Sequence, residues 1–126
     1  MQVISKNNDI LLNIINIESG YRGFLLSTDE NFLEQYNKSK KEIVANLNLL
    51  KKLTKDNQKQ QQYIVLLNKH TDLKIATVTN NIEYFKKNNF NIIDKKELFN
   101  VGKNQTDSIR KLTEFWGQKR VRHKTL

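Results

Sequence analysis

Residues 10–26 read ILLNIINIESGYRGFLL, and this stretch decides the fold class. Its large side chains recur at alternating spacings of four and three residues, which is the pattern of a helix packed in a bundle. The repeating positions are Ile10, Ile14, Ile17, Tyr21 and Phe24. The pattern extends back to Val3, so we predict helix 1 over residues 2–26. Because it begins in register without a capping residue, we expect a longer helix upstream in the parent protein.

The segment after residue 26 predicts a turn and a second helix. Ser27 with Glu30 three residues later has the spacing of a capping box, so Ser27 is expected to start helix 2. Helix 2 then runs to about residue 54, and its apolar face is interrupted by Lys40. That face consists of Leu33, Tyr36, Ile43, Leu47 and Leu50.

Polar residues 55–57 separate helix 2 from a third helix, predicted to end near Lys87. Its buried stripe is expected to be Ile64, Leu67, Thr71, Ile75, Val78, Ile82 and Phe85. Residues 88–91 are expected to form a loop, and Asp94 with Glu97 forms a second capping box that opens helix 4. The seam of helix 4 is predicted as Leu98, Val101, Gln105, Ile109, Leu112 and Trp116.

The turn composition favours long helices over sheets. The chain has no proline and 4 glycines in 126 residues, far fewer turn residues than a β or α/β domain of this size needs. We therefore predict an all-α fold, an antiparallel up-down-up-down four-helix bundle with long helices, over residues 1–116. Residues 117–126 form a separate basic tail. It is either a vector-derived extension or a patch for nucleic acid or lipid.

The composition leaves little apparatus for catalysis. There is no cysteine, and the two histidines, His70 and His123, are far apart. No nucleophile–base pair or metal-ligand spacing can be assembled, so we expect no enzyme activity, no catalytic residue, no metal site and no cofactor. No stretch approaches the ~18–20 apolar residues of a membrane span. The net charge of +9 is partly concentrated in the tail, and we expect no nucleic-acid partner.

The most informative segment is residues 18–26, ESGYRGFLL, at the end of helix 1. Two glycines inside a strong helix cost about 1 kcal/mol each relative to alanine. Gly20 and Gly23 are therefore expected to let another helix or a bulky ring approach closely. Glu18 should be half-buried, with Arg22 four residues later as its partner. Two interpretations stay open: a fastening at the end of the bundle, or an anionic ligand site at Arg22.

Residues 16–36 resemble the opening signature of the third class of CHASE domains. Matching positions are Glu18, Gly20, Arg22, Gly23, Phe24, Leu25, Leu26, Phe32, Leu33 and Tyr36. Further on, Gly102-Lys103 and the segment 107–110, DSIR, are similar to a late stretch of that family. Ser27-Thr28-Asp29 departs from the usual Thr-Gly-Asp turn.

The resemblance implies an extracytoplasmic, periplasmic input domain of a bacterial transmembrane receptor in a two-component system, with a sensor histidine kinase as the expected output. It also implies a homodimer in the full-length receptor and membrane attachment through flanking helices absent from this chain. The stimulus would be an unknown small molecule or a physical signal. Candidate structural or ligand-contacting residues are Glu18, Gly20, Tyr21, Arg22, Gly23 and Tyr36. From the residues alone, the alternative is a soluble helical adaptor that binds a partner helix or nucleic acid through its basic surface.

Overall fold

The computed structural model describes residues 2–91 and 94–125, and the side chains of residues 5–91 and 94–115. Four helices make up most of these residues, and no strand occurs among them: α1 Gln2–Ser27, α2 Asn31–Leu53, α3 Gln58–Lys87 and α4 Lys95–Thr125. The all-α class is thereby confirmed, and so are the predicted bounds of helices 1 and 3, whereas α2 begins later and α4 ends later than predicted. None of the helices, over the residues described, has an 18-residue window apolar enough to cross a membrane.

The core is built mainly by the apolar stripe of α1. Six of its hydrophobic side chains are at most 1% exposed, including all five that define the predicted seam: Ile10, Ile14, Ile17, Tyr21, Phe24 and Leu25. The five predicted face residues of α2 are buried as well. On α3 the predicted stripe is buried except for Ile75, which is half-buried. The spacing of apolar residues was therefore sufficient to predict the buried face of three of the four helices.

The order of contacts along α1 shows the direction in which α3 and α4 run relative to it. Asn7, near the start of α1, donates to the carbonyl of Thr113 late in α4, whereas Arg22 lies over the ring of Phe99 early in α4. Residue numbers on α1 and α4 therefore run in opposite directions. On α1 and α3 they rise together: Asn7 contacts Tyr63, Tyr21 contacts Asn81 and Phe24 contacts Phe85. This order is consistent with the predicted up-down-up-down arrangement.

The turn between α1 and α2 corrects one prediction. Ser27 is the last residue of α1 and does not cap α2; its hydroxyl accepts from the backbone N–H of Asp29 at 3.0 Å. Thr28 adopts a left-handed conformation with φ 59°, and Asp29 Oδ1 accepts from the N–H of Asn31 at 2.9 Å. Glu30 is the N-cap residue but makes no capping hydrogen bond. The predicted Ser27–Glu30 capping box is wrong because α1 continues through Ser27 and α2 begins only at Asn31, which places Glu30 at the N-cap position.

The start of α4 agrees with its prediction, since Asp94 Oδ1 accepts from the N–H of Glu97 at 2.9 Å. The predicted seam is wrong at Val101, whose side chain is 42% exposed, while its neighbour Gly102 is buried. Because consecutive helical residues differ by about 100° in direction, only one of the two can face the core. Trp116 lies outside the described side chains.

The two glycines of α1 permit close packing of α2. A Cβ atom on Gly20 would lie 2.7 Å from the carbonyl oxygen of Phe32 and 3.2 Å from the backbone nitrogen of Tyr36. A Cβ atom on Gly23 would overlap the ring of Phe32. Both kinds of approach expected from the sequence, of another helix and of a bulky ring, therefore occur here. They join the start of α2 to the end of α1.

Candidate functional site

A fully buried lysine that contacts two other helices is the most unusual feature of the structure. Lys74 lies on α3 one turn from Thr71 and Val78, and its side chain is 0% exposed. Its Nζ donates to Glu18 Oε2 on α1 and to the carbonyl oxygen of Gly102 on α4, the latter at 2.9 Å. One ammonium group thereby joins three helices. We call Glu18, Lys74 and Gly102 the central polar cluster.

Because Gly102 has no side chain, the carboxylate of Glu18 can lie directly against the backbone of α4. A Cβ atom on Gly102 would lie 2.5 Å from Glu18 Oε1 and 2.9 Å from Oε2. Only a residue without a side chain lets the backbone of α4 approach the carboxylate this closely. The cluster consequently brings the glycine of the late Gly-Lys stretch together with the glutamate that opens the first signature.

Burial dominates the electrostatics of this cluster. Removal from water lowers the pKa of Lys74, while the hydrogen bond and the negative charge of Glu18 act in the opposite direction. A buried cation and a buried carboxylate are each expensive alone, so each needs the other. Removing only one of the two side chains should therefore destabilise the fold, because it leaves the other charge buried without its partner.

Arg22 is a secondary partner of Glu18. Its Nε lies 3.4 Å from Glu18 Oε1, but neither atom makes a hydrogen bond. The guanidinium carbon lies 5.0 Å from the centroid of the Phe99 ring, and the Arg22 side chain is 43% exposed. The interpretation in which Glu18 and Arg22 satisfy each other missed the main partner, because Lys74 on another helix takes the carboxylate.

Replacing Arg22 by alanine should therefore lower the free energy of unfolding by less than about 1 kcal/mol, because Lys74 still holds the Glu18 carboxylate and the Arg22 side chain is 43% exposed. Chemical denaturation of the wild type and the variant measures the difference. A loss as large as that of a Lys74 variant would show that Arg22, and not Lys74, holds the carboxylate.

The remaining candidate residues face different neighbours. Tyr21 is buried and its hydroxyl accepts from Asn81 Nδ2 at 3.0 Å; burial raises its pKa, and this hydrogen bond partly offsets the rise. The hydroxyl of Tyr36 forms a hydrogen bond with Thr79 on α3. Of the six candidates, Glu18, Tyr21 and Arg22 contact α3 or α4, whereas Gly20 and Gly23 lie where α1 meets α2. Tyr36 does both, since its backbone packs against Gly20 and its hydroxyl reaches α3.

A second polar layer lies between the start of α1 and the end of α4. Asn7 is 1% exposed, donates to the carbonyl of Thr113 at 3.1 Å and accepts from the hydroxyl of Tyr63. Burial raises the pKa of Tyr63. Tyr63 therefore stays protonated in the folded protein at pH values where it ionises in the unfolded chain.

Replacing Tyr63 by phenylalanine tests this layer. At pH 8 we expect the variant to be less stable by about 1 kcal/mol, because Asn7 loses a buried donor. As the pH rises above 10, Tyr63 ionises in the unfolded wild type but not in the folded protein. The free energy of unfolding of the wild type therefore falls by up to about 1.4 kcal/mol per pH unit. The variant lacks this loss, so the difference should shrink. Urea midpoints at pH 8, 10 and 11 measure it, and a difference independent of pH would contradict the prediction.

An open groove of about 500 Å³ lies where the end of α3 meets the start of α4. Its size would admit a small molecule. The side chains around it are mostly amides and carboxylates: Asn81, Tyr84, Asn88, Asn91, Asp94, Glu97 and Leu98. Among the described side chains, those of residues 5–91 and 94–115, there is no group of three or more histidines, aspartates or glutamates placed to hold a metal ion.

Comparison with known proteins gives one match. A family model described as the CHASE3 domain matches residues 1–117. No match was found among curated proteins or among solved structures. The matched range includes the central polar cluster and both stretches that carry the sequence resemblance.

Proposed function

Because the chain belongs to the CHASE3 domain family, a family of extracellular sensory domains of signalling receptors, we propose that it is the periplasmic input domain of a transmembrane bacterial receptor. The observation that carries the proposal is the match over residues 1–117. A sensor histidine kinase is the proposed output, in a homodimeric receptor of a two-component system. The domain itself detects a small molecule or a physical stimulus and carries out no catalysis.

The proposed arrangement is an antiparallel up-down-up-down bundle in which α1 and α4 carry the signal. Contact between Asn7 and Thr113 supports it, since this contact joins a residue early in α1 to one in the second half of α4. The opposite end of the bundle holds the α1–α2 turn, where Glu30 pairs with Lys86 at 3.3 Å. α2 and α3 are joined to each other by the turn at residues 54–57, so neither has a free end there that could extend into the membrane. Membrane helices would therefore extend α1 and α4.

Signalling in such a domain requires two arrangements of the helices. A ligand shifts their populations only if it binds one arrangement more tightly than the other. Shifts of about 1–2 Å between packed helices are typical of such transitions. The stimulus therefore acts by changing how α4 packs against α1.

A topology assay in the full-length receptor tests the location. β-Lactamase inserted at the exposed Asp56, in the turn between α2 and α3, should confer ampicillin resistance. The same enzyme fused to the output domain is the matched control and should confer none. Resistance from neither fusion, with both proteins expressed, would contradict a periplasmic location and favour the soluble adaptor.

Two measurements separate the finer parts of the proposal. Autophosphorylation of the purified receptor on histidine identifies a kinase output, and its absence would point to another class of output domain. Titration of the isolated domain with duplex DNA tests the adaptor. Affinity that falls steeply with rising salt would indicate a nucleic-acid partner.

A further inference from the structure

α4 buries less apolar surface than α1 does. Among its described side chains, only Ile109 is a fully buried hydrophobic residue, while Leu98, Phe99 and Leu112 are half-buried. Its other inward positions are polar or lack a side chain. They include Gly102, Gln105, Thr106 and Thr113. Apolar packing therefore constrains the position of α4 along the bundle only weakly.

Hydrogen bonds supply the missing constraint: Asn7 joins α4 to α1 through the carbonyl of Thr113, and the ammonium of Lys74 joins α4 to α1 and α3 at Gly102. Gln105 donates to Thr77 at 3.1 Å at a half-buried position. Lys74, by contrast, is fully buried and holds the carbonyl of Gly102 directly against the carboxylate of Glu18. A displacement of α4 by one residue or more would remove the carbonyl from Nζ and leave the ammonium with one protein partner fewer.

Steric fit favours the same register. The carboxylate of Glu18 occupies the place that a Cβ atom would need at Gly102. One turn away in either direction α4 carries Leu98 and Thr106, whose side chains would meet that carboxylate after a one-turn displacement. The glycine and the lysine therefore select the same position of α4.

We propose that the central polar cluster fixes the register of α4 against α1 and α3, and that loss of its contacts releases α4 while α1 and α2 stay packed. Buried polar groups are known to set register in helical bundles, where an apolar core would permit several. The inference rests on the proposed function in taking α1 and α4 as the helices that carry the signal. The register itself is a property of the isolated chain.

Distance measurements between spin labels test the register. Because the chain has no cysteine, pairs of introduced cysteines carry the labels without further changes. Ser5 with Asn104 reports α1 against α4, and Ser5 with Lys41 is the matched control for α1 against α2; all three residues are exposed. Each pair is measured in the wild type and in Glu18→Leu/Lys74→Met, which removes both charges together.

In the wild type we expect one narrow distance distribution for each pair. In the double variant the Ser5–Asn104 distribution should broaden, or shift by between about 1 Å and one helical turn of about 5 Å. The Ser5–Lys41 distribution should not change. An unchanged Ser5–Asn104 distribution in the folded variant, or equal broadening of both pairs, would overturn the proposal. If this variant does not fold, Glu18→Gln/Lys74→Met removes the charges while keeping the shape of residue 18.

Hydrogen exchange provides a second measurement. In Glu18→Leu/Lys74→Met, amides of residues 98–113 in α4 should exchange by local opening about tenfold faster or more than in the wild type, while exchange of residues 10–25 in α1 should change less. Equal protection of α4 in the wild type and in the folded variant would mean that the cluster does not hold α4, and the proposal would be wrong. None of these outcomes depends on where the domain is located, so the topology assay can fail while the register inference holds, and the reverse.

Discussion

Lys74→Met lowers the free energy of unfolding by about 3–5 kcal/mol, the largest loss we expect from one substitution in this chain. Methionine keeps most of the length of the lysine stem but removes the ammonium from Glu18 and from the carbonyl of Gly102. The buried carboxylate is then left with only Arg22, whose contact is not a hydrogen bond. Urea denaturation followed by circular dichroism measures the loss.

Two controls separate loss of the pair from loss of a lysine. Glu18→Leu/Lys74→Met should recover most of the stability, because no charge remains buried. Lys40→Met removes a half-buried lysine whose Nζ lies 5.4 Å from the Tyr36 ring, and should change stability by about 1 kcal/mol or less. If Lys74→Met were as stable as the wild type, the Glu18 carboxylate would have to become hydrated when its partner is removed, and the prediction would be wrong.

Gly102→Ala is the second large effect, a net loss of about 2 kcal/mol. In an ordinary helix the change would raise stability by about 1 kcal/mol, because alanine is the better helix former. Here the new methyl group would lie 2.5 Å from Glu18 Oε1, and that carboxylate is held in place by Lys74. Overpacking of this kind typically costs about 1–3 kcal/mol, and displacement of the ion pair adds to it.

A second background makes the Gly102 prediction specific. In Glu18→Ala/Lys74→Met the carboxylate is absent, so Gly102→Ala should there be neutral or stabilising by about 1 kcal/mol. Asn100→Ala, at an exposed position of the same helix, controls for the general effect of alanine in α4. An equal loss from Gly102→Ala in both backgrounds would place the conflict elsewhere than at Glu18.

The sequence by itself determined the helices and most of the core. The stripes of α1, α2 and α3 follow from spacings of three and four residues, which are a local property of the chain. The sequence also identified residues 18–26 as exceptional, since glycines in a strong helix and a half-buried glutamate need an explanation. The resemblance to a sensory domain was also carried by contiguous residues, and the family match over residues 1–117 confirmed it.

Only the tertiary structure decided how that exception is resolved. The spacing from Thr71 and Val78 places Lys74 on the buried stripe of α3, but the apolar Ile75 fits that stripe too, and a helical lysine normally extends into solvent. Its role depends on Glu18, 56 residues earlier in the chain, and on Gly102, 28 residues later. The choice of Gly102 over Val101 as the inward residue depends on the position of the same carboxylate. Partners of a buried charge are selected by packing between helices, and spacing within one helix does not contain that information.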